Sequence, residues 1–360
     1  MLQLFNKQQA YNCLFITNSN IGRRSSMELS QKKYIGLGQV PIGIGAILSG
    51  WGLTEEEFRS PDRLPVVDFR AMTGECRHRC FHCFTEKRKK TLTLAEIKSA
   101  IDQIAAMGAK AIDFLGEGEP TLDHDYFEIL EYTSAKGIIP IVFTDAATKM
   151  LDIDFVRRTK DSGATVCPKC DSLFNPGYQN MVVGDPKGIY FRQRNEAVSL
   201  LMKEGFNAVN SDGTTRLGFD MVISSLNIHE VPLTLEFCRK NNIWIVFSFY
   251  LPAGLSARES FDQNLQPNDD QKHLMRLDVR RIDAKFGFNH PIWSNFATGP
   301  CVERLQIYGD GRVSPCPGNE TIIGNIQKQS VQDLHRILLE KFPGHNPLAF
   351  NGHCLYRPSL

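Results

Sequence analysis

Between residues 66 and 250 of this 360-residue chain, short apolar runs rich in β-branched residues alternate with stretches of helical periodicity. Candidate strands lie at 65–69, 110–115, 139–143, 164–170, 217–224 and 243–249. Between the first two, Ile97, Ile101 and Ile104 share one helical face, which predicts a helix over 94–107. Thr93 and Glu96 have capping-box spacing at its start, and Gly108 stands where its C-terminus needs a stop. Further helices are predicted at 125–136, 154–162, 192–204 and 230–241, three of them followed closely by glycine. Strands joined by single helices require right-handed crossovers, so six such units predict an α/β fold, a partial (β/α)6 barrel with its helices outside. Reactive groups of such sheets sit on the loops that follow the C-terminal strand ends.

After residue 250 the rhythm changes. LPAGLSARESFDQNLQPNDD reads as a polar connector, and 273–286 as a helix. A turn-rich region follows from Cys301, with Asp310-Gly311 as a hairpin signal, and it ends in a helix over 331–341 capped by Ser330 and Asp333. The expected organisation is an N-terminal extension (1–64), the barrel (65–255), a connector with one helix (256–295) and a small C-terminal domain (296–360).

Composition narrows the function classes. Lys+Arg 41 against Asp+Glu 40 leaves a net charge of +1, so there is no global electrostatic footprint for nucleic acid or anionic lipid. The basic run 87–90 reads as solvated surface. Residues 34–53 are uncharged over about one membrane span, but Pro41, Gln39 and six glycines make a poor spanning helix, and a loop packed over the main domain is the better reading. The first residues lack the basic-then-apolar build of a secretory signal, so a cytoplasmic protein with reduced thiols is expected. Cysteines at short spacing in such a protein are metal ligands or catalytic groups more often than disulfides.

The segment CRHRCFHC, residues 76–83, falls on the loop after the first strand. Cys76, Cys80 and Cys83 can hold three irons of a [4Fe–4S] cube and leave the fourth open to a chelating ligand. The alternative is zinc, which needs a fourth protein ligand and would force His78 or His82 into a cramped loop. The spacing C-x3-C-x2-C, with the ring of His82 before the last cysteine, resembles the cluster loop of radical S-adenosylmethionine (SAM) enzymes. GEGEP, residues 116–120, at the end of the second strand, resembles the glycine-glutamate-proline loop of the same family. The resemblance covers roughly residues 66–250. It implies that Gly118 and Glu119 meet the SAM amino group, that His82 packs near adenine, and that the reduced cluster cleaves SAM to a 5′-deoxyadenosyl radical that removes a hydrogen atom from substrate. It also implies an electron donor of flavodoxin or ferredoxin type.

Other candidates sit at strand ends. Asp145 stands where the family often has asparagine, which leaves its ribose contact open. In VCPKCDS, residues 166–172, two-residue alternation puts Cys167, Lys169 and Asp171 on one side as contacts to cofactor or substrate, and Cys170 on the other. Either cysteine is a candidate hydrogen donor to substrate. Asp220 is a candidate pocket carboxylate or a lysine partner, and Asn227 and Glu230 read equally as caps or ligands. Cys13 and Cys238 read as structural. Finally, Cys301-x9-Gly311-x4-Cys316 resembles the opening of the auxiliary-cluster domains called SPASM and twitch. The longer cysteine run of a full SPASM domain is missing, and Cys354 is the remaining downstream thiol. This implies one shortened auxiliary [4Fe–4S] cluster on Cys301, Cys316 and Cys354 with its fourth ligand open. The expected activity is a net oxidation or modification of a small polar molecule or peptide, with a cysteine-assisted epimerisation or rearrangement as the alternative.

Overall fold

In a computed structural model, the described residues are 62–211, 214–250, 254–256, 262–286, 303–315, 319 and 321–342. The strands β1 (Val66–Arg70), β2 (Ala111–Phe114), β3 (Ile139–Thr144) and β4 (Thr165–Pro168) are parallel neighbours in sequence order. β5 (Gly218–Ile223) pairs with β6 (Trp244–Phe249), and the bridges Val166↔Leu217 and Lys169↔Asp220 join β5 to β4. The spatial order β1 to β6 follows the chain, as expected for a partial barrel built by right-handed crossovers.

Helices α1 (Leu94–Ala106), α2 (Tyr126–Ala135), α3 (Ile153–Asp161), α4 (Pro176–Val182), α5 (Tyr190–Lys203) and α6 (Val231–Lys240) provide the connections. The Thr93–Glu96 capping box is formed, and Gly108 leaves α1 at φ 78°. α4 is an unpredicted element. Its signal was Asn175-Pro176, an N-cap followed by proline at the first helical position, where a missing N–H does no harm.

Strand alternation separates two cores. Val67, Phe69, Ile112, Phe114 and Val142 point outward and pack with Ile97, Ile101 and Ile104 of α1 and Ile129 and Leu130 of α2. Val66, Ala111, Ile141, Cys167, Trp244 and Val246 point inward and plug the lower barrel. Two residues further along the same strands, on the same inward face, come Asp68, Asp113, Phe143, Lys169, Asp220 and Ser248. A polar layer therefore rests on an apolar plug. On the other side, Cys170 and Cys238 join the outer core of β5, β6, α5 and α6.

Helix α7 (Asp269–Lys285) starts four residues before its expected position because Asn268 and Gln271 form a capping box. A buried ion pair, Arg239 Nε to Asp283 Oδ1 at 2.9 Å, ties it to α6. The hairpin expected at Asp310-Gly311 is formed by β7 (Glu303–Tyr308) and β8 (Arg312–Ser314), with β9 (Gly324–Asn325) beyond it. β7 runs parallel to β1, so the hairpin continues the barrel sheet past its first strand. α8 (Val331–Lys341) is capped by Ser330 and seats Val331, Leu334 and Leu338 in the core of α1. Most of the N-terminal extension lies outside the described residues, including 34–53 and Cys13, and so do Cys301, Cys316 and Cys354. Among the described residues no helix is long and apolar enough to cross a membrane.

Gly218 shows how tightly the plug is filled. A Cβ there would meet Trp244 Cε2 at 2.2 Å, in a strand pair where Gly218 faces Trp244 in register. Gly218→Val overpacks this site, and urea denaturation is expected to show a loss of about 1–3 kcal/mol. An unchanged midpoint would mean that the plug is not close-packed.

Candidate active site

The cysteine loop follows β1, as expected, and is anchored from two sides. Arg79 N and Phe81 N donate to Val183 and Val182 O at the end of α4, at 3.0 and 3.1 Å. Gly118 N donates to Thr73 O at 2.9 Å and Glu119 N to Glu75 O at 2.7 Å, which joins GEGEP to the segment before Cys76. A Cβ on Gly118 would lie 2.2 Å from Glu75 O, so this approach requires glycine. The Thr85 hydroxyl closes the contact by donating to Glu117 O at 2.7 Å.

Above the polar layer opens a cavity of about 1380 Å³ measured out to its mouth. Cys76, Cys80 and Cys83 all line it, with His78, His82, Gly118, Glu119 and Asp145. All three are half-buried free thiols. Burial pushes Cys76 up to about 11, and burial with the neighbouring Cys83, Asp171 and Cys76 pushes Cys80 well up. Thiols of one short loop, two of which resist ionisation by themselves, suit a polycationic centre able to stabilise the set as thiolates. The donor set therefore fits an iron–sulfur cluster. Among the described residues, the tight metal-ligand grouping found elsewhere is Asp123, His124 and Asp125, and Lys90 occupies it with contacts of 2.7 and 3.0 Å to the two carboxylates.

Glu119 is 3% exposed. Its Oε1 accepts from Thr121 N, Thr121 Oγ1 and Thr144 Oγ1, and its Oε2 from Asp145 N at 2.7 Å. Burial, and then the negative charge of Asp145, push its carboxyl up to about 8. An ammonium delivered to Glu119 would relieve both effects, which is the match expected for an amino-acid cofactor. Burial holds the His82 pKa down to about 4, so the imidazole is neutral and its 3.9 Å contact to Asp171 is not a working ion pair. A neutral ring on the cavity wall suits stacking against a base.

Asp145 spends its carboxylate on Thr148, accepting from N at 2.8 Å and Oγ1 at 2.6 Å, and faces His78 Nε2 at 3.1 Å. It caps a turn while lining the cavity. Lys169 reaches Asp220 at 2.9 Å and Asp171 at 3.2 Å. Burial works against its ammonium, but the two carboxylates outweigh it and raise its pKa. Lys169 and Asp220 line the cavity, so Asp220 is both pocket carboxylate and lysine partner. Asp171 is fully buried and accepts from Val222 N and Gln179, a structural hub behind the wall.

Cys167 lines the cavity floor, and burial keeps its thiol protonated. Cys170 faces away into the outer core, as the alternation predicts, and the structure does not bring it to the cavity. Asn227 and Glu230 bond Ser224, Asp171 O and Ser172 and have structural roles. The basic run 87–90 corrects the expectation of solvated surface. Lys87 Nζ donates to His78 O and lines the cavity, Arg88 pairs with Glu86, and Lys90 is held by Asp123 and Asp125. The inward carboxylates Asp68 and Asp113 were missed. Their signal was an aspartate at an inward position in the interior of each of two mainly apolar strands, VVDFR and AIDF.

A parallel partial barrel with this cysteine loop and this glutamate loop at its strand ends defines a radical SAM domain. Residues 71–238 match the radical SAM superfamily model, so this part of the chain is a radical SAM domain, and that family uses a [4Fe–4S] cluster and SAM. The GTP 3′,8-cyclase of Marinobacter nauticus is 23% identical over 295 residues, covering 74% of this chain and 81% of the relative. A probable GTP 3′,8-cyclase of Methanococcus maripaludis is 23% identical over 275 residues, covering 70% and 85%. Among solved structures, Streptococcus suis SuiB bound to S-adenosylmethionine superposes with a TM-score of 0.57 at 16% identity, over 76% of this chain and 65% of SuiB. The anSMEcpe structure with bound AdoMet and Cp18Cys peptide gives 0.54 at 16% identity, over 76% and 80%. These two likenesses establish the fold.

The raised carboxyl of Glu119 makes a pH prediction. With a folded pKa near 8 against an ordinary 4.5, the folded apoprotein binds a proton that the unfolded chain has released. Its stabilising contribution is complete below about 4.5 and lost as pH rises through about 8. Thermal denaturation of apoprotein across pH 5–8.5 should show a falling Tm, and Glu119→Gln should flatten that slope. An equal slope in the variant would refute the assignment.

Proposed function

We propose that this protein is an enzyme that removes a hydrogen atom from a substrate carbon bound in the barrel mouth, with net oxidation of a small polar molecule as the outcome. The observation that carries the reading is the convergence of Cys76, Cys80, Cys83, Gly118 and Glu119 on one cavity at the C-terminal strand ends. Cys76, Cys80 and Cys83 would hold the cluster and leave one iron for SAM. The bound pair supplies a carbon-centred radical strong enough to break an unactivated C–H bond. Glu119 binds and orients the ammonium of SAM, the backbone at Gly118 approaches it closely, and His82 offers its neutral ring to the adenine. The apolar plug beneath excludes water from the chamber.

Cys301, Cys316 and Cys354 are the candidate ligands of an auxiliary cluster, and such a cluster favours a two-electron oxidation. A specific observation supports a second reading, a redox-neutral epimerisation or rearrangement: Cys167 presents a protonated thiol to the cavity, the state a hydrogen-atom donor needs. An electron donor of flavodoxin or ferredoxin type would serve either reading.

Anaerobically reconstituted protein with SAM and dithionite should form 5′-deoxyadenosine. Cys76→Ala, Cys80→Ala and Cys83→Ala should each abolish it and lower bound iron, whereas turnover by all three variants would sink the proposal. Cys301→Ala should remove one cluster's worth of iron, measured by iron and sulfide assay, and leave the other; unchanged iron would remove the auxiliary cluster. In deuterated solvent, oxidation should leave the product without solvent deuterium, and incorporation lost in Cys167→Ala would favour the second reading.

A further inference from the structure

We propose that Lys87 is a positioning residue for the iron–sulfur centre: its ammonium faces the cysteine loop from inside the cavity, holds that loop through His78 O, and raises the reduction potential of the cluster bound there. This rests on the reading that Cys76, Cys80 and Cys83 hold that cluster, and it adds what makes the centre reducible.

Residues 87–90 are four consecutive cations, and the fold sends them to different places. Arg88 pairs with Glu86, Lys90 pairs with Asp123 and Asp125, and Lys89 is exposed. Lys87 alone of the four lines the cavity, where its Nζ donates to His78 O. Its backbone stands at φ 52°, the left-handed region that a long side chain rarely occupies. Two contacts hold it there. A Cβ on Gly74 would lie 2.8 Å from Lys87 O and 2.3 Å from Arg88 O, and Arg88 N donates to Glu117 Oε2 at 3.4 Å. The segment before Cys76 and the GEGEP loop therefore both grip residues 87–88. Strain of this kind persists where the surroundings enforce it, and it gathers at functional sites.

The carboxylates of the lining are Asp68, Asp113, Glu117, Glu119, Asp145 and Asp220. Asp220 pairs with Lys169 and Asp145 with His78. At Asp68 and Glu117 burial raises the carboxyl pKa, and Arg70 is the main charge opposing it. Glu119 accepts from Thr121, Thr144 and Asp145 N, and Asp113 is engaged as well. Among the described residues Lys87 forms no ion pair, and the anion it does act on is the Cys76 sulfur. Burial pushes that thiol up to about 11; the His78 N–H, which donates to Cys76 Sγ at 3.4 Å, and then the Lys87 ammonium oppose the rise. Lys87 contributes to both effects, directly by its charge and through the residue whose carbonyl it holds.

The same physics acts on a cluster. Thiolate ligands give it net negative charge, and an added electron makes it more negative. A nearby cation or N–H donor therefore stabilises the reduced state more than the oxidised one. Lys169, the cation that acts on Cys80, is offset by Asp171 and Asp220, so Lys87 supplies the uncompensated charge.

The test uses anaerobically reconstituted protein in an EPR-monitored redox titration, following the reduced-cluster signal that changes when SAM is added. At the wild-type midpoint potential, the reduced-to-oxidised ratio of Lys87→Met should fall by about tenfold, which is ~59 mV for a one-electron couple. Lys87→Arg keeps the charge and should stay within about threefold of wild type. Lys89→Met, a change at an exposed cation two residues away, should leave the ratio unchanged. A lowered midpoint at normal iron content, restored by arginine, supports the proposal. An unchanged midpoint in Lys87→Met, or a Lys87→Arg midpoint as low as that of Lys87→Met, overturns it. Loss of SAM affinity by calorimetry with the midpoint intact also overturns it and makes Lys87 a ligand of the SAM carboxylate. If Lys87→Met loads too little iron to titrate, Lys87→Gln gives the second measure, and iron loss in both assigns Lys87 to the scaffold alone and overturns the tuning role. Wild-type protein with no SAM-responsive signal defeats the proposed function itself, whereas a responsive signal indifferent to Lys87 defeats this inference alone.

Discussion

Two backbone hydrogen bonds organise this molecule's chemistry. Gly118 N to Thr73 O and Glu119 N to Glu75 O hold the loop after β2 against the loop after β1. They work because position 118 has no Cβ to strike Glu75 O. The contact brings the glutamate into one chamber with the thiols of Cys76, Cys80 and Cys83. Without it, the two motifs would be turns on neighbouring strands.

The barrel beneath serves this contact in layers. Apolar side chains from five strands close the bottom, and Gly218 makes room there for Trp244. Apart from Phe143, the next inward positions are polar or charged, and burial strengthens every electrostatic interaction among them. The same low-dielectric setting accounts for a neutral His82, a protonated Cys167 and a Glu119 that awaits a cation.

The outer shell fixes the loops in place. The short helix α4 pins Arg79 and Phe81 through Val182 and Val183, so the cysteine loop is gripped on the side opposite GEGEP. Arg194, fully buried on α5, donates to Lys169 O and Ser172 O and braces the end of β4. Continuation of the sheet through β7 places Tyr308 over Arg70.

Much of this was legible along the chain, for identifiable reasons. Strand and helix periods report local burial, so the six barrel strands, the α1 capping box and the Asp310-Gly311 hairpin stood within a few residues of their expected places. The cysteine spacing and GEGEP were legible because they are local and each lies on a single loop. Alternation also separated Cys167 from Cys170, since a strand sends successive side chains to opposite faces. What the linear order leaves undecided is which charges face one another. The engagement of Lys87 and Lys90, the retreat of Asp171 behind the wall, the spending of Asp145 on Thr148 and the pairing of Asp68 with Asp113 all depend on strands and loops far apart in the chain. Local pattern thus determined the scaffold and placed the cysteine and GEGEP motifs on their loops. Tertiary structure decided the electrostatics of the chamber, because Coulomb interactions and desolvation act through space and only packing sets those distances.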